Sequence, residues 1–168
     1  NNSSNINLLF IGTQGHPWHG IDKIMLIAKN TPKFIYHIVG TTGEDTNNVK
    51  FYGILNKLEI SKLMSAIDIC IGSLSLNVLG LTEACPLKVR EYIASGFPIV
   101  LGYNDSAFLE KVPSWVYHLD INNIDIDQFI TFCYNNKGVR ISENEKLQYI
   151  SLENIEYQRI KILRSLND

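Results

Sequence analysis

TEACPLKVREYIASGFPIV, residues 82–100, decides how the rest of the chain is read. Pro86 opens a helical segment whose inner face is Val89, Tyr92, Ile93 and Gly96. Proline is welcome at a helix start because the N–H it lacks would have no partner inside the helix. Gly96 closes the segment, since glycine adopts the left-handed stop without steric cost. The run that follows, FPIVL (97–101), is apolar and short, and reads as a buried strand. A helix leading through a glycine into a buried strand is the repeating unit of an α/β sheet.

The same stretch holds chemistry. The carboxylate of Glu83 stands just before the helix start, and the backbone N–H groups of Leu87 and Lys88 project from its first turn. Free N–H groups at the positive end of a helix dipole bind anions, and a diphosphate suits them. Lys88 adds a positive charge there. Glu91 lies on the side away from Val89 and Ile93, so it is not a core residue. Periodicity alone reads Lys88 and Glu91 as a solvated i, i+3 pair.

Working outward, the unit recurs. NLLFI (7–11) ends at Gly12, FIYHIV (34–39) at Gly40 and VKFY (49–52) at Gly53. IDICI (67–71) runs into Gly72, and WVYHL (115–119) is a sixth strand. Between them Ile21, Ile24, Met25 and Ala28 form one helical stripe, and Ile60, Leu63, Met64 and Ile67 form another. Asn56 and Glu59 have capping-box spacing at the start of the second. Further helices are expected near 124–134 and, as one long helix, from Ser151 onward. That last helix carries Leu152, Ile155, Ile162, Leu163 and Leu166 on one side, a stripe that needs cover from a partner. Strands apolar on both faces, alternating with amphipathic helices, predict a doubly wound parallel sheet of the α/β class. Residues 7–168 are expected to form one domain, with 1–6 as a linker. Ligands of such sheets bind at the carboxyl ends of the strands, so the loops after Ile11, Val39, Tyr52, Ile71 and Leu101 are the ones to watch.

Composition removes several function classes. The 168 residues suffice for one core, and at 45% hydrophobic and 19% charged the chain is globular. A net charge of -2, with no RRM, KH or zinc-finger pattern, gives no reason to expect nucleic acid. No apolar run approaches the roughly 18–20 residues of a membrane span, and residues 1–5 are polar and unlike a signal peptide. Cys70, Cys85 and Cys133 are scattered, without a C-x-x-C pair, as in a reduced cytosolic protein. Cys85 reads as a small loop filler. His16 and His19 lack a third ligand, so no metal is expected. Asp125 and Asp127 form a D-x-D at a helix start, where carboxylates simply favour the dipole. Neither a G-x-G-x-x-G after the first strand nor a P-loop is present.

The spacing Glu83-x7-Glu91, followed by PLKxxEYxAxGxPxV, resembles the signature of retaining GT-B glycosyltransferases. That group includes many bacterial polysaccharide and lipopolysaccharide hexosyltransferases. LLFIGTQGHPWHGIDKIM resembles the opening strand, loop and helix of the family's C-terminal domain. HIVGTTG, VKFYGIL and LMSAIDICIGS resemble its later segments in family order, covering roughly residues 7–120. The resemblance implies the Rossmann-like C-terminal half of a GT-B fold, which binds a nucleotide sugar. It implies an intact enzyme that moves a hexose from a nucleoside diphosphate sugar to an acceptor hydroxyl, with retention, in polysaccharide or glycolipid synthesis. No cofactor or metal is implied. The N-terminal acceptor domain of the same protein is the implied partner. The chain begins at the donor domain's first strand, so alone it is expected to be inactive. A cytoplasmic location is implied, with room for peripheral attachment to the inner membrane face through the acceptor domain.

By position, Glu91 resembles the glutamate that hydrogen-bonds the ribose, and Glu83 resembles the catalytic glutamate beside the donor sugar. Backbone groups of Leu87 and Lys88 match the diphosphate cradle. Tyr52, Gly53, Ile54 and Leu55 match the base-binding edge, and Gly12 the turn that admits substrate closely. The family's arginine and lysine in and after the first loop are replaced by Thr13 and His19, with His16, Lys23 and Lys88 as the other nearby cations or imidazoles. His19 is expected to stand for the lysine, its charge rising as pH falls from about 8 to 6. Two other classes share the pattern. One is a sugar-nucleotide epimerase. The other is a non-catalytic nucleotide-binding module, favoured by the missing arginine and lysine.

Overall fold

The computed structural model describes residues 5–153 together with 156, 157, 160 and 164. Its strands follow the glycine-stopped apolar runs. In chain order they are β1 (Ile6–Ile11), β2 (Phe34–Val39), β3 (Val49–Phe51), β4 (Ile69–Ile71), β5 (Glu83–Ala84), β6 (Ile99–Leu101), β7 (Asn104–Asp105) and β8 (Val116–His118). Six of them form one parallel sheet in the order β3-β2-β1-β4-β6-β8. β1 and β2 pair along their whole length, from Ile6 opposite Phe34 to Ile11 opposite Val39. The chain winds outward from β1 to β3, crosses back to β4 and winds the other way. The direction therefore reverses between β1 and β4, which is where such sheets open a crevice.

Alternation along the strands supplies two cores. Leu8, Phe10, Tyr36, Ile38, Ile69 and Ile71 point to one face. It is covered by α1 (Ile21–Asn30) through Ile24, Ile27 and Ala28, and by α4 (Ile126–Asn135) through Phe129, Phe132 and Cys133. Leu9, Val39, Cys70, Ile99 and Leu101 point to the other. There α2 (Lys57–Met64), α3 (Leu87–Ala94) and α5 (Glu143–Ile150) lie across the sheet. Phe10, Tyr36, Tyr92 and Phe129 are almost wholly shielded from water. Burying each such side chain contributes roughly 1.5–3 kcal/mol.

Local details refine the sequence reading. β1 begins at Ile6, which is fully buried, one residue before the expected domain edge. Pro86 is the residue before the helix rather than its first turn, with φ -70° and ψ 138°. Asn56 and Glu59 form the reciprocal capping box at α2, and Asp125 caps α4 by accepting from the N–H of Gln128. β4 starts at Ile69 because turns closing α2 occupy Ala66 and Ile67, while Asp68 N–H bonds to the carbonyl of Asn7. α5 was not anticipated. Its sequence ENEKLQYI is largely polar, and it docks through Tyr149 and Ile150 and through Lys146 Nζ, which donates to the carbonyl of Ala94 at 3.1 Å. Ser151 is extended and separates α5 from the helix expected after it. Residues 152, 153, 156, 157, 160 and 164 are helical. Of the expected stripe, Leu152 is exposed, and Ile155, Ile162, Leu163 and Leu166 lie outside the described residues.

One contact at the reversal point is steric. Gly40 has φ 83°, and a Cβ there would lie 1.8 Å from the carbonyl oxygen of Gly12. Gly138 has φ 69° and open space around it. Gly138→Ala should therefore cost only the backbone strain, about 1 kcal/mol. Gly40→Ala should cost about 3 kcal/mol or more, because the loops after β1 and β2 must part. Urea denaturation of both variants checks this, and equal losses would show that the close approach is unimportant.

Candidate functional site at the carboxyl edge of the sheet

The loops after β1, β2 and β3 meet above the sheet and are laced by their backbones. Gly12 N–H donates to the carbonyl of Val39 at 3.0 Å, and Gly40 N–H to that of Gly53 at 2.6 Å. Thr42 N–H donates to Gln14 Oε1 at 2.7 Å. Together they enclose a cleft of about 400 Å³ lined by Ile11, Gly12, Gly40, Gly53, Ile54 and Leu55, with Ile60 of α2 at its side. The walls are mostly glycine backbone and aliphatic carbon, a surface that suits the flat face of a ring, with Thr13, Gln14, Thr41 and Thr42 as the polar part of the lining. Ile54, 93% exposed, forms the outer lip.

Tyr52 takes a different position from its sequence neighbours. Its ring lies near-parallel to that of His37, and its hydroxyl is 2.8 Å from His37 Nδ1. His37 Nε2 is 3.1 Å from Asn7 Oδ1. Tyr52 thus braces β3 against β2 and β1 and does not line the cleft. Burial pushes the His37 pKa down to about 4, so this brace is uncharged at neutral pH.

Beyond the cleft stands α3. Its Tyr92 hydroxyl accepts the N–H of Ile11 at 3.0 Å, which fixes the helix to the end of β1. One turn earlier, Lys88 sends its amine back across the switch point. Nζ lies over the Phe10 ring at 4.5 Å and 3.4 Å from both Ser73 Oγ and His19 Nδ1. His19 is buried, and its Nε2 accepts the N–H of Thr13 at 3.1 Å. Acceptance at Nε2 places the proton of the neutral ring on Nδ1. Nδ1 is 3.5 Å from Ser73 Oγ. An ammonium and an imidazole N–H therefore converge with only the Ser73 hydroxyl between them. An anionic oxygen would satisfy both donors.

The charges depart from the sequence reading. Burial, followed by the nearby Lys88 and His16, lowers the His19 pKa from 6.5 to about 4. His19 is therefore neutral from pH 6 to 8 and does not carry the titrating charge expected of it. Burial also lowers the Lys88 pKa from 10.5 to about 8. The cation of the site is the Lys88 side chain, whose reach over Phe10 no sequence spacing reveals. A lysine in a helix's first turn was the available signal.

The remaining candidates are arranged around this group. The N–H groups of Leu87 and Lys88 lie in the first turn of α3, and that of Val89 bonds back to the carbonyl of Pro86. The Leu87 side chain is exposed. Glu91 is exposed on α3, and Glu83 is exposed on β5. β5 pairs with β7 outside the main sheet, Glu83 opposite Asn104. Among the described residues neither carboxylate bonds to Gly12, His19 or Lys88. His16 stacks on Trp18 at 4.2 Å. Among the described residues no cluster of three or more His, Cys, Asp or Glu could hold a metal ion, and no helix is long and apolar enough to cross a membrane. All three cysteines are free.

No protein-family model and no curated protein sequence matches the chain. Solved structures do. TarM is similar with a TM-score of 0.60 at 15% identity, covering 92% of this chain and 34% of that one. Anabaena Alr3699/HepE, solved in complex with UDP-glucose, matches with a TM-score of 0.57 at 18% identity over 96% of this chain and 49% of its own. The GtfA/B complex matches with 0.55 at 13% over 97% and 36%. The chain thus spans about a third to a half of the length of the structures it matches, and at these identities the likeness is one of fold. What is shared is the fold, a six-stranded parallel sheet flanked by helices, α/β and Rossmann-like.

Proposed function

We propose that this chain is the donor-binding domain of a retaining glycosyltransferase, which moves a hexose from a nucleoside diphosphate sugar to an acceptor in polysaccharide or glycolipid synthesis. The observation that carries the reading is the pair of converging donors, Lys88 Nζ and His19 Nδ1, set 3.4 Å apart beside the glycine-walled cleft. An apolar slot for a base next to a cationic pocket has the layout of a nucleoside diphosphate. In this reading the base lies against Gly53, Ile54 and Leu55, with Gly12 leaving room for the diphosphate. The N–H groups of Leu87 and Lys88 and the Lys88 amine hold its charge. Glu91 accepts from the ribose, and Glu83 acts on the sugar. Such a site works by positioning the donor and stabilising the departing diphosphate. The acceptor is held by a second domain of the same protein, and the enzyme works on the cytoplasmic side.

Thermal shift with UDP and GDP, with and without EDTA, tests the reading. At a hundredfold excess over Kd a bound nucleotide stabilises the fold by about 2.7 kcal/mol. The shift should survive EDTA, and Glu91→Ala should weaken affinity roughly tenfold if it accepts a ribose hydroxyl. No shift at millimolar nucleotide would sink the proposal. Binding by the intact protein without transfer from any donor would instead favour a non-catalytic module.

The pH profile separates Lys88 from His19. Lys88 binds an anion when protonated, and in the free protein it loses its proton near pH 8. Affinity should be flat from pH 6 to 7 and fall as pH rises through 8, with protons taken up on binding above that point. Calorimetric titration should show Lys88→Met weak and insensitive to pH. A rise in affinity from pH 7 to 6, abolished in His19→Ala, would return the charge to His19.

A further inference from the structure

The loop that carries Glu83 leaves the main sheet after β4 and returns at α3, and one side chain, Arg90, joins the contacts that hold it. Arg90 lies on α3, two residues past Lys88. Its Nη2 forms an ion pair with Asp105, whose carboxylate is wholly buried, and lies 3.1 Å from Cys85 Sγ. Asp105 belongs to β7, and its Oδ1 also accepts the N–H of Ala107 at 3.0 Å. β7 in turn pairs with β5, and Asn104 N–H donates to the carbonyl of Thr82 at 2.9 Å. The contacts close a ring: α3 to β7 through the ion pair, β7 to β5 through the backbone, and β5 back to α3 through Cys85. Glu83 and the first turn of α3 are inside that ring. Neither can shift against the other unless the guanidinium lets go.

We propose that Arg90 is a positioning residue, which with Asp105 sets Glu83 and the N–H groups of Leu87 and Lys88 in one fixed frame against the diphosphate and hexose of the donor. The proposal rests on the donor-site reading above. Arg90 is suited to it because a planar guanidinium offers several donors in fixed directions and holds its charge at any physiological pH. Burial of Asp105 keeps water from competing for the pair. The base end of the cleft, built by the loops after β1, β2 and β3, is no part of the ring, and Glu91 stands beside Tyr92, which the Ile11 N–H ties to β1 without Arg90. The two ends of the ligand should therefore respond separately to loss of Arg90.

The experiment compares nucleoside monophosphate, nucleoside diphosphate and nucleoside diphosphate hexose, in uridine and guanosine series, by calorimetry on the chain and its variants. In Arg90→Gln the monophosphate affinity should stay within about twofold, while the advantage of the diphosphate hexose over it should shrink by about tenfold. Arg90→Lys should recover part of that advantage, because one ammonium can meet Asp105 but cannot also span to Cys85. Asp105→Asn gives a second route to the same loss if Arg90→Gln does not fold. An equal fall for all three ligands would mean that Arg90 only stabilises the fold, and no change would mean that the ring does not position the site. Either overturns the proposal. Absence of binding by the unaltered chain overturns the donor-site reading itself, and this proposal with it.

Discussion

Everything at the carboxyl edge depends on how closely two loops approach. The Gly40 Cα sits so near the Gly12 carbonyl that no side chain fits between them. Gly12 is constrained by side chains, since a Cβ there would meet the Phe10 ring at 2.5 Å and His19 at 2.8 Å. Two bare backbones can therefore pass each other just where β1 and β2 end. Bulkier residues would push the loops apart, widen the cleft and carry His19 away from Lys88. The glycines thus do more than end strands. They set the distance between the apolar slot and the cationic pocket.

The cationic pocket itself is costly to the free protein. Taking an ammonium out of water without a carboxylate partner disfavours the charged form, which the lowered pKa of Lys88 records. The electron-rich face of Phe10 offsets part of this, at a distance of 4.5 Å. The His19 N–H offsets none of it, being another donor. Two donors facing each other across 3.4 Å form an arrangement whose natural complement is an oxyanion. His19 has one structural task here, accepting the N–H of Thr13 at Nε2, and that task leaves its Nδ1–H facing the ammonium. Strain of this kind collects where a ligand relieves it.

How much of this was legible in the sequence follows from the range of each interaction. Runs such as FIYHIV between residues 34 and 39 are local, and β2 appears with the limits expected. The Asn56 and Glu59 capping box is also local and formed as expected. α5 escaped because it docks through Tyr149, Ile150, Lys146 and the Glu145 carboxylate that accepts from Trp115 Nε1, a mixed face without an apolar period. β5 and β7 escaped because a pair of two-residue strands has no pattern of its own. It exists only because the chain brings residues 83–84 and 104–105 together. Tyr52 was placed at the base edge by its neighbours, but a hydrogen bond to His37, fifteen positions away, turns its ring to the other side. His19 was read as a cation because burial cannot be seen in a sequence, and burial decides its charge.

The resemblance implies a lysine where this chain has a neutral histidine, and the amine beside that histidine comes from α3. That exchange changes what holds the charge in place. A lysine on the first loop would be positioned by β1 alone. Lys88 is positioned by a helix that must itself be tied down, at one point to β1 by the bond between Ile11 N–H and the Tyr92 hydroxyl, and at another to β7 by Arg90 and Asp105. In the proposed donor site the phosphate charge and the carboxylate of Glu83 would thus belong to one linked frame. In such a frame an anion that draws Lys88 forward also loads the tether at Arg90. In the proposed donor site, binding and the placement of Glu83 would be coupled through α3, because the positive charge stands on a helix and not on a loop.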